Sequence, residues 1–122
     1  MTDPLASAGD GRGRIIYVGD PMCSWCYGFA PALAEVAAAS APEFELVVVL
    51  GGLRPGTTEP MDARMRQFLE HHWDEVARRS GQPFRKDLLA RMDFVYDTEP
   101  ACRAVVTARV LAPETTFAFF TA

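Results

Sequence analysis

Long apolar runs are missing from this 122-residue chain, and the purest, "LVVVL" at 46–50, is far below the ~20 residues a membrane helix needs. The first residues, "MTDPLASAGDGRGR", lack the positive start and the apolar core of a secretory leader. Together these point to the cytoplasm and away from a membrane. Basic residues are also scarce: 12 Lys and Arg stand against 16 Asp and Glu, for a net charge of −4. No basic stripe with interleaved aromatics is present, so nucleic acid is excluded as a partner. Cysteine is rare too, with three in all. In a reducing compartment three cysteines suit catalysis, metal binding or core packing better than structural disulfides.

What is there is ordinary for one globular domain: 49% apolar and 23% charged residues. Residues 1–13 read as a flexible lead-in. "RIIYVGD" reads as a short strand ending at Gly19 and Asp20. "CSWCYGFAPALAEVAAAS" reads as a helix with strong Ala propensity in its second half and a kink at Pro31. "FELVVVL" suits a strand buried on both faces, so residues 14–56 form a βαβ unit with a parallel pair. After the turn-rich "GGLRPGTTEP", residues 57–122 turn helical. Met61, Met65, Phe68, Leu69, Trp73, Val76 and Ala77 make one stripe near a 3.6 period, stopped at Gly81. Asp74–Arg78 and Glu75–Arg79 are i,i+4 pairs on the remaining surface. "FRKDLLARMDF", "YDTEPACRAVVTARVLA" and "PETTFAFFTA" read as three more helices, the second capped by Asp97 or Thr98. The pattern stops without a capping glycine. Two parallel strands make too little sheet to stand alone, so further strands or a second copy of the chain are expected to complete it.

The chemistry centres on Cys23 and Cys26, a C-x-x-C at the head of a helix that follows a strand. Unpaired N–H groups and the helix dipole favour a thiolate there, lowering a thiol from about 8.5 to between ~3.5 and ~7.5. The two-residue spacer lets the second sulfur close on the first. By position Cys23 is the attacking thiol and Cys26 the resolving one. A zinc site would need Cys102 and His71 or His72 as further ligands, in a spacing that matches no zinc pattern. The site is therefore read as free of metal.

The residues "DPMCSWCYGFAP", "GGLRPG" and "YDTEPACRAVV" resemble the DsbA-like family of the thioredoxin superfamily. Within it they are closest to FrnE-like and 2-hydroxychromene-2-carboxylate-isomerase-like proteins. The resemblance covers about residues 15–122 and implies a thioredoxin-like βαβ unit followed by an all-helical insertion. It also implies that the fold's C-terminal strands and helix, with their cis-proline loop, are absent, so that the chain is truncated. The implied activity is thiol–disulfide exchange with protein or peptide thiols. It would use the redox-active pair and no other cofactor, with glutathione or a thioredoxin-type protein as reductant. A glutathione-dependent isomerase or transferase is the alternative; those relatives generally carry Ser where Cys23 stands. A catalytically weak fragment is another.

Other residues carry two readings each. Asp20 either takes a proton during resolution or caps the turn into the helix. Ser24 and Trp25 fill the spacer, and Trp25 either rims the site or packs. Cys102 is a packed small residue or a regulatory thiol. Arg54 either favours the thiolate or sits solvated in its loop. His71 and His72, about 100° apart on a helix, cannot form a ligand pair. Exposed apolar surface is expected to support a homodimer.

Overall fold

The computed structural model describes residues 9–122; the first eight residues of the expected lead-in lie outside the described residues. The order is β1 (Gly13–Gly19), α1 (Ser24–Ser40), β2 (Phe44–Leu50), α2 (Ala63–Ser80), α3 (Glu99–Leu111) and α4 (Thr116–Phe120). Short 3₁₀ turns lie at Asp87–Ala90 and Pro113–Thr115. β1 and β2 pair in parallel with Tyr17 opposite Val48 and Val18 opposite Val49. No other strand occurs among the described residues. The result is the mixed α/β, thioredoxin-like arrangement, a two-stranded sheet followed by helices.

Strand alternation gives the sheet two unlike faces. Tyr17, Leu46, Val48 and Leu50 point to one, where Val105, Phe117, Phe120 and Cys26 cover them. Tyr17 stacks on Phe29 at 6.2 Å and meets Phe120 edge-on at 5.9 Å. Ile16 and Val18 point to the other face and stay open, 45% and 62% exposed. β1 is thus buried on one face only, while in β2, where burial on both faces was expected, Val47 and Val49 on that side are half-buried. Arg109 Nη1 donates to the Val48 carbonyl at 2.7 Å, fastening α3 to β2.

A second core gathers Met61, Leu69, Leu89 and Tyr96, with Met22, Met65, Trp73 and Phe94 around it. The α2 stripe supplies much of it, and each such side chain contributes about 1.5–3 kcal/mol when fully buried. Val76, fully buried, instead meets α1, at Gly28. A Cβ on Gly28 would stand 2.9 Å from Val76 Cγ1 and 3.0 Å from Ser80 Cβ, so only glycine lets the two helices approach this closely. Phe68 departs from the stripe: it is 60% exposed and stacks on His72 at 5.5 Å. α2 is capped by Asp62, whose side chain accepts from Met65 N, and ends at Gly81 with φ 77°.

Several local expectations are overridden by tertiary partners. "FRKDLLARMDF" forms only the 3₁₀ turn, and the last segment only a five-residue helix. Glu75 pairs with Arg79 at 3.1 Å, but Asp74 reaches Lys86 at 2.7 Å instead of Arg78. Thr98 is the N-cap of α3 without a side-chain bond to the helix; its hydroxyl accepts from Arg54 N at 2.9 Å. Pro31 sits inside α1, which continues through it. Proline leaves the carbonyl four residues earlier, that of Tyr27, without its helical donor, and Gln82 Nε2 donates to it at 3.3 Å. The Tyr27 hydroxyl in turn donates to the Pro83 carbonyl at 2.5 Å. Among the described residues no helix is long and apolar enough to cross a membrane.

Candidate active site

β1 ends at Gly19, and the next residue organises the turn. Asp20 is 3% exposed, a buried carboxylate that must be hydrogen-bonded to be tolerated. Its Oδ1 accepts from Met22 N at 2.8 Å, and its Oδ2 from Leu53 N at 2.7 Å and from the Cys102 thiol at 3.3 Å. Its backbone carbonyl accepts from Cys23 N at 3.1 Å. Asp20 therefore shapes the turn into α1 and also binds the loop after β2 and helix α3. Charge-assisted bonds of this kind are about twice as strong as neutral ones.

That turn fixes the motif from both sides. Met22 packs into the helical core and Cys26 into the core beneath the sheet. Cys23 lies between them as the N-cap of α1, with extended backbone at φ −82° and ψ 125°. Both cysteines are free thiols, each half-buried. They border an open cavity of about 380 Å³ lined also by Val18, Gly19, Asp20, Gly51 and Leu53.

The two sulfurs titrate as a unit. The Cys23 thiol donates to the Cys26 sulfur, and this contact above all lowers Cys26 to about 6; the Tyr17 hydroxyl and the Asp20 N–H stabilise the same thiolate. The same contact, followed by burial, pushes Cys23 up. The backbone N–H groups of Cys26 and Trp25 act in the opposite sense on Cys23, favouring charge there. Each sulfur thus bears on the charge of the other, and the N–H groups at the head of the helix pull that charge toward the N-cap sulfur. The sequence reading placed the thiolate on Cys23 alone. Tyr17, whose own ionisation is opposed by burial and then by Cys26, was not foreseen in this position.

The three quoted motifs meet here. The Tyr96 hydroxyl donates to the Met22 carbonyl at 2.8 Å, and burial raises Tyr96 to about 12. Arg54 lies over the Tyr96 ring at 5.3 Å and its Nε reaches the Tyr96 carbonyl at 3.4 Å. Arg54 is thus neither a thiolate partner nor a solvated loop residue; it clamps "GGLRPG" to "YDTEP". Asp97 accepts from Gly56 N at 3.0 Å and Glu99 N at 3.1 Å, tightening the same junction. Thr98, fully buried, went unassigned in the sequence except as a cap.

Ser24 opens α1, half-buried. Trp25 is exposed and meets His72 edge-on at 5.9 Å, so Trp25, His72 and Phe68 form an aromatic row that starts from the spacer between the cysteines. His71 is exposed and His72 half-buried. Among the described residues no three His, Cys, Asp or Glu side chains gather to hold a metal ion.

No family model and no curated protein sequence matches the chain. Solved structures do. One, provisionally assigned as a protein disulfide isomerase from Nitrosomonas europaea, is similar at 37% identity with a TM-score of 0.82, over 90% of this chain and 52% of that one. The cytosolic disulfide reductase DsbM from Pseudomonas aeruginosa, solved with GSH, is similar at 33% identity with a TM-score of 0.73, over 88% of this chain and 52% of that one. A second structure of that reductase gives 32% identity and a TM-score of 0.73. The chain spans about half the length of these proteins.

Proposed function

We propose, for a chain that is DsbA-like in fold over about half the length of the proteins it matches, that Cys23 and Cys26 carry thiol–disulfide exchange with protein or peptide thiols. The observation that supports this best is the placement of the pair: a C-x-x-C whose first cysteine is the N-cap of a helix, beside an open cavity, with Cys26 lowered to about 6. At neutral pH one of the two sulfurs is then a thiolate.

Cys26 is packed in the core beneath the sheet, and Cys23 is the N-cap at the cavity. Cys23 therefore attacks. Its thiolate forms a bond to one sulfur of the substrate disulfide, whose other sulfur leaves as a thiolate and takes a proton. Cys26 then attacks the Cys23 sulfur and expels the second substrate sulfur. Two electrons pass to the substrate and a Cys23–Cys26 disulfide remains. Two glutathione thiols, or one thioredoxin-type dithiol, reduce it back. No other cofactor enters. Asp20 holds the turn and lines the same cavity as the resolving sulfur, whose proton it would receive. Trp25, with His72 and Phe68, offers an apolar rim to the substrate, and Ser24 spaces the two thiols. The isomerase or transferase reading is weaker, because that chemistry has no use for a second cysteine.

Alkylation by iodoacetamide tests the pair directly. Because the shift is downward, the thiolate is populated above about pH 6 and lost below it, so labelling is expected to rise through that pH. Peptide mapping should place the first label on Cys23. A midpoint near the ordinary ~8.5, or first labelling of Cys102, would contradict the assignment.

The cytoplasm is the compartment that fits the cytosolic reductase among the similar structures. The open sheet face at Ile16 and Val18 is the surface on which a second copy of the chain would pair. Sedimentation should then depend on concentration, and Val18→Lys should give monomer only; a concentration-independent monomer in the parent chain sinks the pairing.

A further inference from the structure

We propose that Cys102 is a positioning residue for the thiol pair, acting through its hydrogen bond to Asp20. The proposal rests on Cys23 and Cys26 being the exchanging thiols.

Cys102 stands in the first turns of α3, and its thiol donates to Asp20 Oδ2 at 3.3 Å. The same oxygen takes the Leu53 N–H at 2.7 Å. The frame that aims the thiol is rigid. Thr98, at the head of α3, accepts from Arg54 N and donates its own N–H to the Arg54 carbonyl at 3.4 Å. α3 and the loop after β2 are thereby one piece, and Asp20 is gripped by both. The carboxylate's other oxygen and its backbone carbonyl set the N–H groups of Met22 and Cys23. A chain of contacts runs from Cys102 through Asp20 to the backbone that presents the N-cap sulfur.

Packing alone does not require a thiol here; alanine or valine would be as apolar. The thiol adds a donor. Burial, then the Asp20 carboxylate, raises Cys102 to about 11, so it keeps its proton and remains a donor while the other two cysteines titrate. It is therefore no third nucleophile. The titratable or charged groups around Asp20 are Cys23 and Cys26 from α1, Tyr96 and Cys102, with Tyr17 reaching Cys26 from β1 and Arg54 covering Tyr96. Without the Cys102 donor the carboxylate's charge is less neutralised and its turn is less firmly held. Both effects disfavour a thiolate in the pair.

The test is the pH profile of iodoacetamide labelling at Cys23 and Cys26 in the full chain. In Cys102→Ala the midpoint should move upward, and labelling near pH 6 should slow about three- to ten-fold, the size of one lost hydrogen bond. Cys102→Ser, which keeps a donor, should restore the parent profile. Circular dichroism establishes that each variant is folded. An unshifted profile in Cys102→Ala, or a shift that serine does not reverse, overturns the proposal. Should Cys102→Ala fail to fold, Cys102→Val removes the same donor while filling the space, and an unshifted labelling profile of the pair in folded Cys102→Val overturns the proposal as well. Insulin reduction is measured separately: absent turnover in the parent chain with the shift intact rejects the exchange reading and leaves the Cys102 contact standing.

Discussion

Cys23→Ser is expected to bring disulfide exchange down to the uncatalysed rate, a loss of about 10³-fold or more. A serine hydroxyl at the same N-cap is not ionised at neutral pH and forms no mixed disulfide. Cys26→Ala should behave differently. It keeps the attacking sulfur, so the first step proceeds, but nothing resolves the adduct. A mixed disulfide between Cys23 and the substrate should accumulate, visible as a mass increase and reversed by dithiothreitol. Insulin reduction followed by turbidity measures the first effect, and non-reducing mass spectrometry the second. Equal turnover by Cys23→Ser, or full turnover by Cys26→Ala without an adduct, would remove both residues from the roles given to them.

The largest effect on stability is expected at Asp20. Replacing a buried carboxylate by an apolar side chain of similar volume can be neutral or favourable when desolvation dominates. Here the donors decide the sign. Asp20→Leu leaves the Met22 and Leu53 N–H groups and the Cys102 thiol without their acceptor, at a junction where Asp20 itself is buried. Unsatisfied buried donors cost about 1–3 kcal/mol each, against the relief of not burying a charge. A net loss of about 2–4 kcal/mol is expected. Asp20→Asn retains one acceptor oxygen and should lose about half as much. Urea unfolding checks both. An Asp20→Leu chain as stable as the parent would mean that those donors find water or other partners.

Much of this site was legible in the sequence because its signals are local. A strand, two cysteines three apart and an Ala-rich helix fall within one short stretch, and the structure puts Cys23 at the N-cap as the spacing required. Glycine after α2 was an equally local signal, and Gly81 ends that helix; Asp62, its N-cap, was not singled out in the sequence. What was not legible depends on contacts across the chain. The sequence spacing of Tyr17 shows a strand residue; only the helix packed on that face makes it a partner of Cys26. Arg54 was weighed as a loop cation because nothing in "GGLRPG" announces the Tyr96 ring that covers it. Phe68 fits a helical period as well as Leu69 does, but the neighbour it meets is the half-buried His72 and not the core. The 3₁₀ turn at Asp87–Ala90 follows the same rule: helix propensity was present, and tertiary geometry overrode it.

The three acceptor contacts of Asp20 lie 2, 33 and 82 residues away along the chain. A chain being synthesised can make the first at once, the second only after β2 and its loop have formed, and the third only when α3 has docked. Each later contact closes a longer loop and forms correspondingly later in folding. Until the last is made, the turn that carries Cys23 is tied only to its own backbone and to the loop after β2. The junction around Asp20 is thus completed only when the most distant of its three partners arrives, and Cys23 sits on the first segment to be made and the last to be fully held.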